Sequence, residues 1–96
     1  MADDMAQSDL LWMPRTRQLI GDRGVSVPDF LSNHPLCCPA RAEILTGQYA
    51  QNNGVRHNRG PRGGYDALAR PGNTVASWLQ DVGYRTAFVG KYLNGW

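Results

Sequence analysis

The 96-residue sequence predicts an α/β fold with mostly parallel strands and flanking helices. Three observations point that way. Two stretches, residues 39–46 and 74–82, carry helix signals at both ends. A β-rich apolar run at residues 84–89 follows the second helix directly. An alternating stretch at residues 25–31 precedes the first. Helices interleaved with apolar strands favour a layered sheet whose strands run in parallel.

The elements follow in order. The chain opens on Met1-Ala2-Asp3-Asp4-Met5, with two adjacent carboxylates. Pro14 suits a first helical turn, and Leu19 and Ile20 are available for burial, so a short helix is expected over residues 14–22, ended by Gly21 and Gly24. Residues 25–31 read as a strand, and Pro28, which lacks a donor, gives it an edge position or a bulge. Pro35 disfavours a helix entering from upstream, while Pro39 fits a first turn. The next helix therefore begins close to Cys37 or Cys38 and stops before Gly47. Residues 48–72 show no sustained periodicity and place seven glycines and prolines between Gly54 and Gly72, which reads as a long surface loop. Asn73-Thr74 then caps a helix with Val75, Trp78, Leu79 and Val82 on one face, stopped at Gly83. Residues 84–89 form the last strand, with Gly90-Lys91 at its end. No repeat or interdomain linker interrupts residues 1–96, so one domain is expected.

Composition excludes several classes of function. The formal charge of +2 comes from 10 Lys+Arg against 8 Asp+Glu, too small an excess to imply nucleic acid or a membrane surface. Locally the charge is more pointed, because Arg56, His57, Arg59 and Arg62 share one Gly/Asn/Pro-rich loop that suits an anionic substrate as well as it suits solvent. The two cysteines are adjacent, which leaves neither a disulfide framework nor paired zinc-binding elements. There is no charged-then-apolar leader and no run long enough to span a membrane. Localisation stays open.

The chemistry concentrates in Pro35-Leu36-Cys37-Cys38-Pro39-Ala40-Arg41-Ala42-Glu43-Ile44-Leu45-Thr46-Gly47. Cys37 falls near the mouth of a helix, where outward N–H groups attract anions. Arg41, about one turn later, lies on the same face. Cys37-Cys38-Pro39-Ala40-Arg41, continued by Leu45-Thr46-Gly47-Gln48-Tyr49 and Asn52-Asn53-Gly54-Val55, closely resembles the signature of type I sulfatases, C-x-P-S/A-R followed by L-T-G. The doubled cysteine and Gly90-Lys91-Tyr92-Leu93-Asn94 look most like the branch containing N-acetylglucosamine-6-sulfatases.

That resemblance implies an alkaline-phosphatase-like domain, of which this chain is expected to be an incomplete N-terminal portion. It implies that Cys37 is oxidised to Cα-formylglycine by a formylglycine-generating enzyme, with Cys38 as the variable residue. Arg41 is expected to orient and stabilise the modified residue, and Lys91 to contact sulfate. Asp3 and Asp4 resemble the family's metal-binding pair without its preceding strand; they are expected to hold a divalent ion, Ca²⁺ by preference, shared with the residue 37 oxygen. Leu93 stands where many relatives carry histidine, which leaves the role of Asn94 open. The implied partners are a sulfated small molecule or glycan and the modifying enzyme, with no nucleic acid and no membrane. Family members are often secreted, periplasmic or lysosomal.

The aldehyde has a chemical reason. A serine would leave a stable sulfate ester of its own, whereas a hydrated aldehyde attacks sulfur through one hydroxyl, expelling the alcohol, and ejects sulfate when the other loses its proton, restoring the aldehyde. Two alternatives remain. A phosphoryl-transfer relative would use Ser or Thr where Cys37 stands, and a non-catalytic remnant would share the signature without activity.

Overall fold

The computed structural model describes Met1–Trp96. The chain divides into two compact units, Met1–Leu31 and Ser32–Trp96.

The first unit is helical and thin. A 3₁₀ helix spans Gln7–Trp12, and the Asp9 carboxylate accepts the Ala6 N–H at 2.9 Å to close its first turn. Helix α1, Pro14–Thr16, opens on its proline and widens into a π-helical turn over Arg17–Gly21, whose Asp22 N–H reaches back five residues to the Arg17 carbonyl at 2.8 Å. The helix expected at residues 14–22 is thus present with a changing pitch. Leu19 and Ile20 stay exposed, and no residue of this unit is buried. The strand expected at residues 25–31 does not form. Pro28 cannot donate to a ladder, and a strand without a partner leaves its backbone groups to water.

The second unit is built on α2, Cys37–Thr46. Its last turn ends as expected at Gly47, with φ 64°, whose N–H donates to the Glu43 carbonyl at 2.8 Å. Glu43 also accepts the Ala50 N–H through Oε1 at 3.0 Å, starting α3, Ala50–Asn53. The buried Asn53 then ties the turn together. Its Nδ2 donates to the Gln48 carbonyl, its Oδ1 accepts the Val55 N–H, and its own carbonyl accepts the Ala69 N–H. Residues 48–72 are therefore more ordered than a surface loop, because side-chain bonds to backbone supply the order that periodicity would otherwise signal. A 3₁₀ turn at Tyr65–Ala67 follows. Helix α4, Val75–Asp81, starts at Thr74 in a reciprocal cap with Ser77.

The core of this unit is small: Cys38, Ala42, Val55, Leu68 and Leu93, with Tyr65, Ala67 and Tyr92 packed against it. Tyr92 is also the hub of an aromatic cluster, 5.1 Å from Phe88 and 5.0 Å from Trp96 between ring centroids. Val75, Trp78, Leu79 and Val82, read from the sequence as one helix face, are exposed. Residues 84–89 are not a strand, and Phe88 and Val89 are exposed with them. The expected parallel strands are thus absent from this chain, whose sole β pairing is an isolated bridge between His57 and Gly63. The physical reason is that an apolar run becomes a strand only when another strand satisfies its N–H and C=O groups. No helix is long and apolar enough to cross a membrane.

Candidate active site

Cys37 is the first residue of α2 and is half-buried. Leu36, at the N-cap, is extended and has no side-chain oxygen to offer the first-turn N–H groups. The acceptor comes from a distant loop. Asn58 Oδ1 accepts the Cys38 N–H at 2.9 Å. The two adjacent cysteines are not joined in a disulfide. They face different surroundings, since Cys38 is fully buried and its Sγ accepts the Asn94 N–H at 3.1 Å.

Arg41, one turn into α2, is 6% exposed. Its Nη1 donates to the Lys91 carbonyl at 2.5 Å, across 50 positions of sequence. The structure thus brings together the signature helix and the Gly90-Lys91-Tyr92 element that sequence paired only by resemblance. Lys91 itself is exposed. The Asn94 carbonyl accepts the Tyr65 N–H at 2.8 Å, so the segment after Lys91 is held on two sides through backbone groups. Burial, and then the neighbouring Tyr65, push the Tyr92 phenol above its ordinary range.

The basic loop is compact. The N–H groups of Arg56 and His57 both donate to the Arg62 carbonyl, and Gly64 N–H donates to that of His57. His57, Arg59 and Arg62 are exposed, and a cleft of about 530 Å³ runs along Asn58, Arg59, Asp66 and Asn94. Asp3 and Asp4 lie in the first unit as exposed carboxylates, Asp4 with a left-handed φ of 51°.

Sequence reasoning passed over Asn58 and treated Cys38 as a spacer. One signal was available: a helix that starts after leucine lacks a cap of its own, and an asparagine in the next loop is a suitable lender.

A family model described as Sulfatase matches residues 2–96. The chain belongs to the sulfatase family. It is 37% identical over 98 residues to the extracellular sulfatase SULF-1 homolog of Drosophila melanogaster, covering 95% of this chain and 8% of that protein. It is 37% identical over 87 residues to N-acetylglucosamine-6-sulfatase of Homo sapiens, covering 85% and 16%, and 32% identical over 85 residues to an arylsulfatase of Volvox carteri, covering 85% and 13%. The chain therefore spans less than a fifth of the length of these relatives. No solved structure matches it. Family membership implies the alkaline-phosphatase-like α/β class, while the elements of this chain are helices and helical turns.

Proposed function

We propose that this chain carries the nucleophile-bearing part of a sulfuric ester hydrolase, with Cys37 converted to formylglycine and sulfated sugars as the substrate class. The observation that carries the reading is the bond from the buried Arg41 guanidinium to the Lys91 carbonyl, which ties the Lys91 segment to the helix that carries Arg41 and presents Cys37. A planar guanidinium held by burial makes a fixed donor set and a fixed positive charge. It favours an anionic group beside residue 37 without reorganising when charge develops. Lys91, exposed on a mobile four-carbon stem, is suited to follow the sulfate oxygens. One hydroxyl of the hydrated aldehyde attacks sulfur as the bond from sulfur to the substrate oxygen breaks and the alcohol leaves; the second hydroxyl then loses its proton and expels sulfate, restoring the aldehyde. The sugar assignment leans on relatives named N-acetylglucosamine-6-sulfatase.

Asp3 and Asp4 fit a divalent cation by donor chemistry, since adjacent carboxylates are the hard oxygen ligands that Ca²⁺ prefers. They would hold the ion, which when bound supplies positive charge to an oxygen nucleophile. Two carboxylates are only part of a sphere of about six to eight oxygens.

Co-expression with a formylglycine-generating enzyme, followed by peptide mass spectrometry, tests the assignment. The thiol-to-aldehyde change is expected on Cys37 and not on Cys38. The complete enzyme carrying this segment, once loaded, is expected to hydrolyse an aryl sulfate, to lose turnover in Cys37→Ala, and to lose it reversibly on chelation, whereas residues 1–96 alone are expected neither to bind the ion tightly nor to turn over. Modification confined to Cys38 would sink the reading.

A further inference from the structure

We propose that Asn58 is a positioning residue for the nucleophile at position 37, an inference that rests on the function proposed above. A helix-capping acceptor is ordinarily the residue just before the helix. In α2 that place is taken by Leu36, and the acceptor for the Cys38 N–H is borrowed from Asn58, twenty positions later.

The choice of N–H matters. The peptide group joining residues 37 and 38 is planar, so the N–H of Cys38 and the carbonyl of Cys37 turn as one rigid unit together with both Cα atoms. Holding the Cys38 N–H therefore sets the plane from which the residue 37 side chain departs. Asn58 is able to hold it because its own loop is tied down by the paired N–H groups of Arg56 and His57 on the Arg62 carbonyl. On the far side, Cys38 Sγ accepts from Asn94, three residues beyond Lys91. Cys38 is thus the junction at which the signature helix, the basic loop and the lysine segment meet, and Asn58 supplies the loop's share of that junction.

Reacting groups misplaced by a fraction of an ångström slow the chemical step more than they weaken binding. The test compares Asn58→Leu, similar in size without an acceptor, with Asn58→Asp, which retains one, in the full protein loaded with formylglycine. Occupancy at residue 37 is measured by mass spectrometry, and rates on an aryl sulfate are expressed per formylglycine. Asn58→Leu is expected to lower kcat roughly tenfold, the scale of one lost hydrogen bond to a buried donor. KM should stay within about twofold, because ground-state binding is untouched. Asn58→Asp should recover kcat to within about threefold of wild type, with any cost of its charge falling on KM. Asn58→Ala carries the same expectation as the leucine should the larger side chain not be accommodated.

Hydrogen exchange over residues 36–42 is the second readout, expected to quicken in the first turn of α2 in Asn58→Leu and to stay near wild type in Asn58→Asp. Wild-type kcat per formylglycine with unaltered exchange in Asn58→Leu overturns the proposal, as does an Asp variant as slow as the leucine. A loaded wild-type protein that turns over no sulfate ester defeats the sulfatase reading instead. The exchange comparison then decides the positioning alone: faster exchange in Asn58→Leu upholds it, and unchanged exchange rejects it.

Discussion

Met1–Leu31 exposes Leu11, Trp12, Leu19, Ile20, Phe30 and Leu31 and buries nothing, whereas Ser32–Trp96 encloses Cys38, Ala42, Val55, Leu68 and Leu93. Apolar content does not separate the two regions. The reach of their polar ties does: the Asp9 side chain closes on Ala6, three positions away, while Cys38 and Arg41 are tied to partners 20, 50 and 56 positions away. Five modest side chains make a core in the second region because specific hydrogen bonds bring their segments together. Local bonds in the first region make helical turns and nothing for them to pack on.

The widest effect on that comparison is expected from Arg41→Lys. Charge is kept, but the planar fork that reaches the Lys91 carbonyl is lost. The barrier to turnover should rise by roughly 2–4 kcal/mol, the scale of losing one preorganised donor. Steady-state rates of the complete enzyme on an aryl sulfate, normalised to formylglycine content because Arg41 belongs to the signature around Cys37, measure it. Wild-type rates would show that the long tie is dispensable to chemistry.

A glycine pair contrasts the regions on stability. Gly54 has φ 92°, and a Cβ there would stand 2.3 Å from the Ala67 carbonyl oxygen, whereas one at Gly21 would meet nothing within 4 Å. Gly54→Ala should cost roughly 2–3 kcal/mol from left-handed strain and overlap together. Gly21→Ala should stabilise by less than about 1 kcal/mol, through helix propensity. Urea midpoints of the two variants test this, and equal midpoints would erase the distinction between a packed and an unpacked region.

The smallest effect concerns pH. Burial and Tyr65 favour the protonated phenol of Tyr92 in the folded state. Its contribution to stability is therefore intact below the ordinary tyrosine value of 10.0 and is lost as pH rises through that value toward the raised one. Tyr92→Phe should flatten this alkaline loss in urea midpoints taken from about pH 8 to 11. An unchanged slope would mean that the aromatic cluster exerts no hold on the phenol.

What was legible in sequence follows the same division between local and distant causes. Helix α2 was readable from Pro39 and Gly47, and α4 from Thr74, since each signal acts within a turn of its own position. Cys37, Arg41 and Lys91 were readable as motif members, and the contact of Arg41 with the Lys91 carbonyl bears on how two of them meet. Residues 84–89 misled because β propensity describes a side chain's fit to a sheet and cannot supply the sheet. Helix α3 was hidden because Asn53 orders it through three bonds rather than through periodicity. Asn58 was hidden because its partner lies twenty positions away.

The 56 positions between Cys38 and Asn94 are also an interval of time. A ribosome adding roughly 5–20 residues per second needs about 3–11 s to extend the chain from one to the other. Through that interval the thiol of Cys38 cannot meet the Asn94 N–H and Arg41 has no Lys91 carbonyl to hold, so α2 lacks the two longest ties that fix it in the folded chain. For the oxidation of Cys37 proposed above, synthesis itself therefore provides a window. Slowing translation downstream of the signature should lengthen it and raise the fraction of chains modified.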